Sequence, residues 1–127
     1  MKKLILISTL VVAGTGIFGT IAYATDPPVS KSGKVYVDKA GMTLYTFDKD
    51  AANSGKSVCN GPCATTWPPL AAESGASSSG NFSVIKRDDG TQQWAYKGKP
   101  LYLYKADQKP GDRTGDNFKG MWHLVKE

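Results

Sequence analysis

The chain has one histidine and two cysteines in 127 residues, and that scarcity excludes whole classes of chemistry. A structural zinc site takes about four ligands, more than Cys59, Cys63 and His123 supply. A c-type haem needs Cys-x-x-Cys-His, and no histidine follows Cys63. A hydrolase needs a nucleophile, a base and an orienting group, and His123 is the sole imidazole. Gly-x-Ser-x-Gly, a phosphate-cradling glycine loop and metal-hydrolase motifs are missing too. An enzyme is therefore not expected, and no cofactor is. The positive charges Lys31, Lys34, Lys39, Lys49, Lys56, Lys86, Arg87, Lys97 and Lys99 are scattered. With no basic run there is no case for nucleic acid, and they read as a solubilising surface. No segment shows helical periodicity at helical length.

The one long apolar run is Leu4–Ala22, preceded by Lys2 and Lys3 and followed by Ala22-Tyr23-Ala24. A positive start, an apolar middle and an A-x-A site form a secretory signal peptide over residues 1–24. The run is about as long as a bilayer requires, so an uncleaved anchor competes; the switch to Thr25-Asp26-Pro27-Pro28 favours cleavage. The product, residues 25–127, is expected to be periplasmic or secreted, without a membrane span. No cysteine precedes Thr25, so no lipid-modified N-terminus is expected there.

In an exported chain an even cysteine pair suggests a disulfide. Gly61 and Pro62 let the chain turn between Cys59 and Cys63. Redox thiols and a metal or haem role are the competing readings. A loop this small stabilises by about 2 kcal/mol in the chain-entropy account, so shaping the loop before Trp67 is its expected role.

What is abundant is repetition. Leu44-Tyr45-Thr46-Phe47-Asp48-Lys49-Asp50 returns as Leu101-Tyr102-Leu103-Tyr104-Lys105-Ala106-Asp107. Each copy has a glycine three residues upstream, Gly41 or Gly98, and a tryptophan downstream, Trp67 or Trp122 with His123. A repeat implies one pseudo-symmetric fold. Alternation puts Tyr45 with Phe47, and Tyr102 with Tyr104, on one face of each strand and Leu44 or Leu101 on the other. Strands apolar on both faces are expected to be covered on both sides. The buried hydroxyls need partners, for which the loop backbone is the nearest source. Asp50 and Asp107 are placed to accept loop N–H groups. The six motif residues are read as core and loop anchors, with a shared pocket on the pseudo-symmetry axis as the alternative.

Strands are expected over residues 34–38 and 42–47, forming a hairpin, then over 82–86, 91–96 and 100–104 as a meander turned at Asp89-Gly90, and last over 121–125. A helical turn near residues 64–67 ends at Pro68. The expected organisation is an arm at 25–33 and one β domain at 34–127. Repeat one is 34–70, a flexible linker 71–80 and repeat two 81–127. The fold class is all-β, a small antiparallel sandwich or open barrel of two pseudo-symmetric repeats with one short disulfide-closed loop.

At these residues the chain resembles the bacterial secreted repeat proteins, or predicted lipoproteins, with the motif Tyr-x-(Phe/Trp/Tyr)-x-x-Asp. The block Cys59-x-x-x-Cys63-Ala64-x-x-Trp67-Pro68-Pro69 and the end Gly120-Met121-Trp122-His123 are similar as well. The resemblance covers roughly residues 34–125. It implies location and architecture but no activity, and the lipid anchor of many relatives is not carried over.

The expected function is an exported, non-catalytic envelope protein with a binding or structural role. Its partner would be an envelope protein, a polymer or a small ligand, and a monomer is expected. Core packing is the favoured reading of Trp94 and Trp122; exposed, either would stack on sugars or grip a partner. The alternative is a metal-binding or redox-accessory periplasmic protein. Asp107, Asp112 and Asp116 would then offer oxygens to Ca²⁺, or His123 with Met42 or Met121 would hold copper.

Overall fold

Short alternating runs between glycine-bearing turns build short strands, and the computed structural model describes residues 26–127 in those terms. The signal-peptide reading of residues 1–24 lies outside the described residues. Seven strands form three small antiparallel sheets among the described residues. β1 (Val29–Ser32) pairs with β2 (Val35–Asp38), and β3 (Tyr45–Phe47) with β7 (Trp122–Leu124). β4 (Phe82–Lys86), β5 (Gln92–Tyr96) and β6 (Lys99–Pro100) make the meander. One helical turn, α1 (Pro62–Thr66), carries proline where a helix has no use for an N–H. The result is an open sandwich.

Residues 25–33, read from the sequence as an arm, contain β1. Its register runs from Ser32↔Val35 to Val29↔Asp38, closed by Gly33-Lys34. Three of its four residues are exposed and only Val29 packs on the core. The strand therefore lacks the apolar alternation that would mark it. The linker is tied at both ends: the Ala72 N–H donates to Gln92 O at 3.0 Å, and Ser79 pairs with Phe82.

The expected hairpin of residues 34–47 closes only briefly. Asp38 Oδ1 accepts the Ala40 and Met42 N–H groups at the turn, and Val37 bridges Thr43. The chain then leaves β2, because β3 has a better partner. The Tyr45 N–H donates to Tyr102 O at 2.8 Å, and the Tyr102 N–H returns to Tyr45 O at 2.9 Å. This is a hydrogen-bonded antiparallel pair joining the two motif copies.

Both faces of that pair are covered, as the apolar alternation requires. Leu44 and Leu101 pack with Leu70, Trp94, Tyr96 and Val125 on one side. Tyr45 and Tyr102 pack with Phe47, Cys59, Trp67 and Trp122 on the other. Each large apolar side chain so buried stabilises by roughly 1.5–3 kcal/mol.

Candidate functional site

The two motif copies complete each other. Tyr45 of the first repeat donates its phenol to Asp107 Oδ2 of the second at 2.6 Å. Tyr102 of the second donates to Asp50 Oδ2 of the first. Both tyrosines are fully buried, and Asp50 and Asp107 nearly so. The other carboxyl oxygens hold the loops: Asp50 Oδ1 accepts the Val58 N–H at 2.7 Å, and Asp107 Oδ1 the Thr114 N–H at 3.0 Å. Each aspartate thus accepts an N–H from a loop. The phenol protons go to carboxylates, because antiparallel pairing of Tyr45 with Tyr102 points each phenol at the other copy's strand end, and the loop backbone supplies one further partner, the Gly115 N–H on Tyr45. These groups meet as core pairs rather than as a shared pocket. Burial first, then the hydrogen bond to the carboxyl, pushes both phenols well above the ordinary 10.0.

The glycines repeat the exchange. Gly98, with φ +82°, lies so close to repeat one's loop that an added Cβ would sit 2.7 Å from Asn53 N. Gly41, with φ +85°, would bring one to 3.1 Å from Pro110 Cβ in repeat two's loop. Both positions need the left-handed region that glycine enters without strain.

The supports around the two Tyr–Asp pairs differ. Beside Tyr45 the Gly115 N–H donates to the phenol oxygen at 3.2 Å. Beside Tyr102 stands Ser57, whose hydroxyl is 2.5 Å from the phenol and accepts from Arg87 Nη1 at 2.9 Å. Arg87 also donates to Gln93 Oε1, Cys59 O and Asn60 Oδ1. It is 5% exposed, which corrects its reading as a surface charge. A planar guanidinium with five donors suits such a site, and lysine would not. One signal stands in the sequence: Arg87 follows the buried Ile85 by two residues, in line with the inward face of β4 one residue past its end. Ser57, Gln93, Thr114 and Gly115 carried no comparable signal.

The Cys59–Cys63 disulfide forms, with Cα atoms 5.2 Å apart. It closes the loop that hands Cys59 O to Arg87 and leads into α1, where the Trp67 N–H donates to Cys63 O at 2.8 Å. The loop-shaping role expected of it fits this position.

The aromatic residues of the motif stack across the repeats. Phe47 lies on Trp122 at 4.2 Å between centroids, Trp122 on Trp67 at 3.8 Å, and Trp67 on Tyr104 at 4.0 Å. The order alternates repeat one, two, one, two. Trp122 and Trp94 are 3% and 2% exposed, so both pack in the core and neither offers a face to a sugar. What reaches solvent is a groove of about 340 Å³ lined by Trp67, Trp122, Cys63, Phe118, Lys119 and Met121.

The metal candidates separate. Asp107 is spent on Tyr45 and Thr114, whereas Asp112 Oδ2 accepts the Gln108 and Lys109 N–H groups of its own turn. Asp116 is exposed. Among the described residues no three His, Cys, Asp or Glu side chains are grouped to hold a metal ion. His123 meets Asp48 at the surface, Nε2 to Oδ2 at 2.8 Å.

Among the described residues no helix is long and apolar enough to cross a membrane. No curated protein and no solved structure matches the chain. A family model, described as a secreted repeat of unknown function, matches it twice, over residues 29–71 and 83–126. The first match begins at Val29, the first residue of β1, and the second ends one residue past Val125. With two matched copies interlocked through their tyrosines, aspartates and tryptophans, this exported chain belongs to the family of secreted repeats of unknown function.

Proposed function

We propose that this protein is a non-catalytic envelope module, released from its leader after Ala24 and working in the periplasm or outside the cell in a binding or structural role. One observation carries the reading: the side chains that would do chemistry are turned on each other. Asp50 and Asp107 are buried against Tyr102 and Tyr45. Arg87 is enclosed by neutral acceptors. The exposed acid–base pair is His123–Asp48, and among the described residues the ring hydrogen-bonds only Asp48. A carboxyl group that anchors a loop and holds a phenol is not free to shuttle protons to a substrate. The groove between Trp67, Phe118 and Lys119 supports the binding role, since it offers apolar rims and one cation to a partner.

The test is sedimentation of the purified exported protein with envelope fractions, wall polymer and membranes kept separate. Saturable co-sedimentation with one fraction, weakened by Lys119→Glu, is expected. Protein that stays in the supernatant with every fraction overturns the binding role, and turnover of an envelope substrate overturns the non-catalytic one. An intact mass beginning at Thr25 checks the leader.

A further inference from the structure

The buried aromatic layer has a property that packing alone does not require. Four rings lie face to face, from Phe47 through Trp122 and Trp67 to Tyr104. Tyr45 abuts Trp67 edge-on at 5.4 Å, and Tyr102 abuts Trp122 at 5.2 Å. Each of these phenols already donates to a carboxyl oxygen. A phenol gives up an electron readily only when a base can take its proton in the same event. Indole rings in contact pass an electron far more easily than saturated side chains do. The rims of Trp67 and Trp122 line the groove, so this layer has an opening to solvent.

We propose that the stack is a one-electron relay that carries an oxidising equivalent from the groove to Tyr45. A one-electron oxidant, such as a high-valent metal complex or an oxygen-derived radical, takes one electron from the Trp67–Trp122 pair and is itself reduced by one electron. Tyr45 refills the tryptophan radical cation with one electron. Its phenolic proton moves along the existing hydrogen bond to Asp107 Oδ2. A neutral tyrosyl radical then faces a carboxylic acid, and the transfer ends there.

The two phenols are not equivalent in this role. Tyr102 has the Arg87 cation one hydroxyl away, through Ser57. A fixed positive charge opposes removal of an electron nearby, and burial strengthens the opposition. Tyr45 has the neutral Gly115 N–H at that place, and the carboxyl groups of Asp107 and Asp116 are the charges acting on it. The hole therefore settles on Tyr45. The relay runs through aromatic rings rather than cysteine thiols, and it stands independently of the envelope-binding role.

The test is flash oxidation of the purified protein by photogenerated ruthenium(III) tris-bipyridine, followed by transient absorption and electron paramagnetic resonance. The double variant Tyr36→Phe, Tyr104→Phe serves as the background, because both phenols are half-buried and open to direct attack and Tyr104 also lies on Trp67. A tryptophan radical is expected to decay as a tyrosyl radical rises, more slowly in D₂O. Tyr45→Phe loses the tyrosyl signal and Tyr102→Phe keeps it. Asp107→Asn, which preserves size, slows the rise. Equal tyrosyl yield with and without Tyr45 overturns the proposal. So does a tryptophan radical in the unmutated protein that never passes to tyrosine, a result that needs no variant to fold.

Discussion

Tyr102–Asp50 and Tyr45–Asp107 are the same pair built twice, yet the material around them differs. Beside Tyr102 stand the disulfide-closed loop and a serine hydroxyl of repeat one, with the buried Arg87 guanidinium reaching in from repeat two. In repeat two's loop a threonine holds the carboxyl and a backbone N–H meets the phenol. Gly115 is packed so tightly there that an added Cβ would lie 2.7 Å from the Trp67 ring. The tyrosine–aspartate exchange is thus built in both copies, whereas the groups that support each pair differ, including those that reach across, Arg87 to Ser57 and Gly115 to Tyr45.

The strongest way to break the comparison is to remove the tryptophans singly. Trp67→Ala and Trp122→Ala should each cost about 4 kcal/mol in urea unfolding, because each ring lies between an aromatic and its counterpart. Unequal losses would mean that the stack does not join the halves evenly. Next, Arg87→Met should cost about 3 kcal/mol, since it strips donors from buried Ser57, Gln93 and Cys59 groups. No such cation stands beside Tyr45, so hydrogen exchange should quicken around residues 57–60 while residues 112–116 stay protected. Replacing Cys59 and Cys63 with alanine should cost about 2 kcal/mol, read as a lower melting temperature that reductant no longer changes. The smallest effect at neutral pH is the titration of the phenols. Their pKa values are raised in the fold, so above the ordinary 10.0 the unfolded chain releases protons that the folded one keeps. The phenols' contribution to stability is then level below pH 10 and falls as pH rises beyond it. Urea midpoints between neutral and strongly alkaline pH should show this, with Tyr45→Phe and Tyr102→Phe each removing a share of the decline.

Much of the architecture was legible because a period of two is legible. Leu44 and Leu101 opposite Tyr45 and Tyr102, the meander through β4, β5 and β6 with its Asp89-Gly90 turn, and the disulfide all follow from local pattern. The choice of partners did not. Asp50 and Asp107 have equal claims on either tyrosine in one dimension, and only the pairing of Tyr45 with Tyr102 in space decides the exchange. β1 escaped because its outer face is polar on every exposed residue, and Arg87 because charge is a poor guide to depth when neutral acceptors surround it. For the clustered aspartates nearness along the chain is not convergence: Asp107 points inward while Asp112 serves its own turn.

The seam between β3 and β7 has a consequence for biogenesis. Besides Tyr102, Tyr45 has Leu124 of β7 as its strand neighbour, and Phe47 stacks on Trp122. Contacts so distant along the chain slow folding. The seam cannot close before β7 is present, so the exported chain is expected to set its architecture only after that strand has crossed.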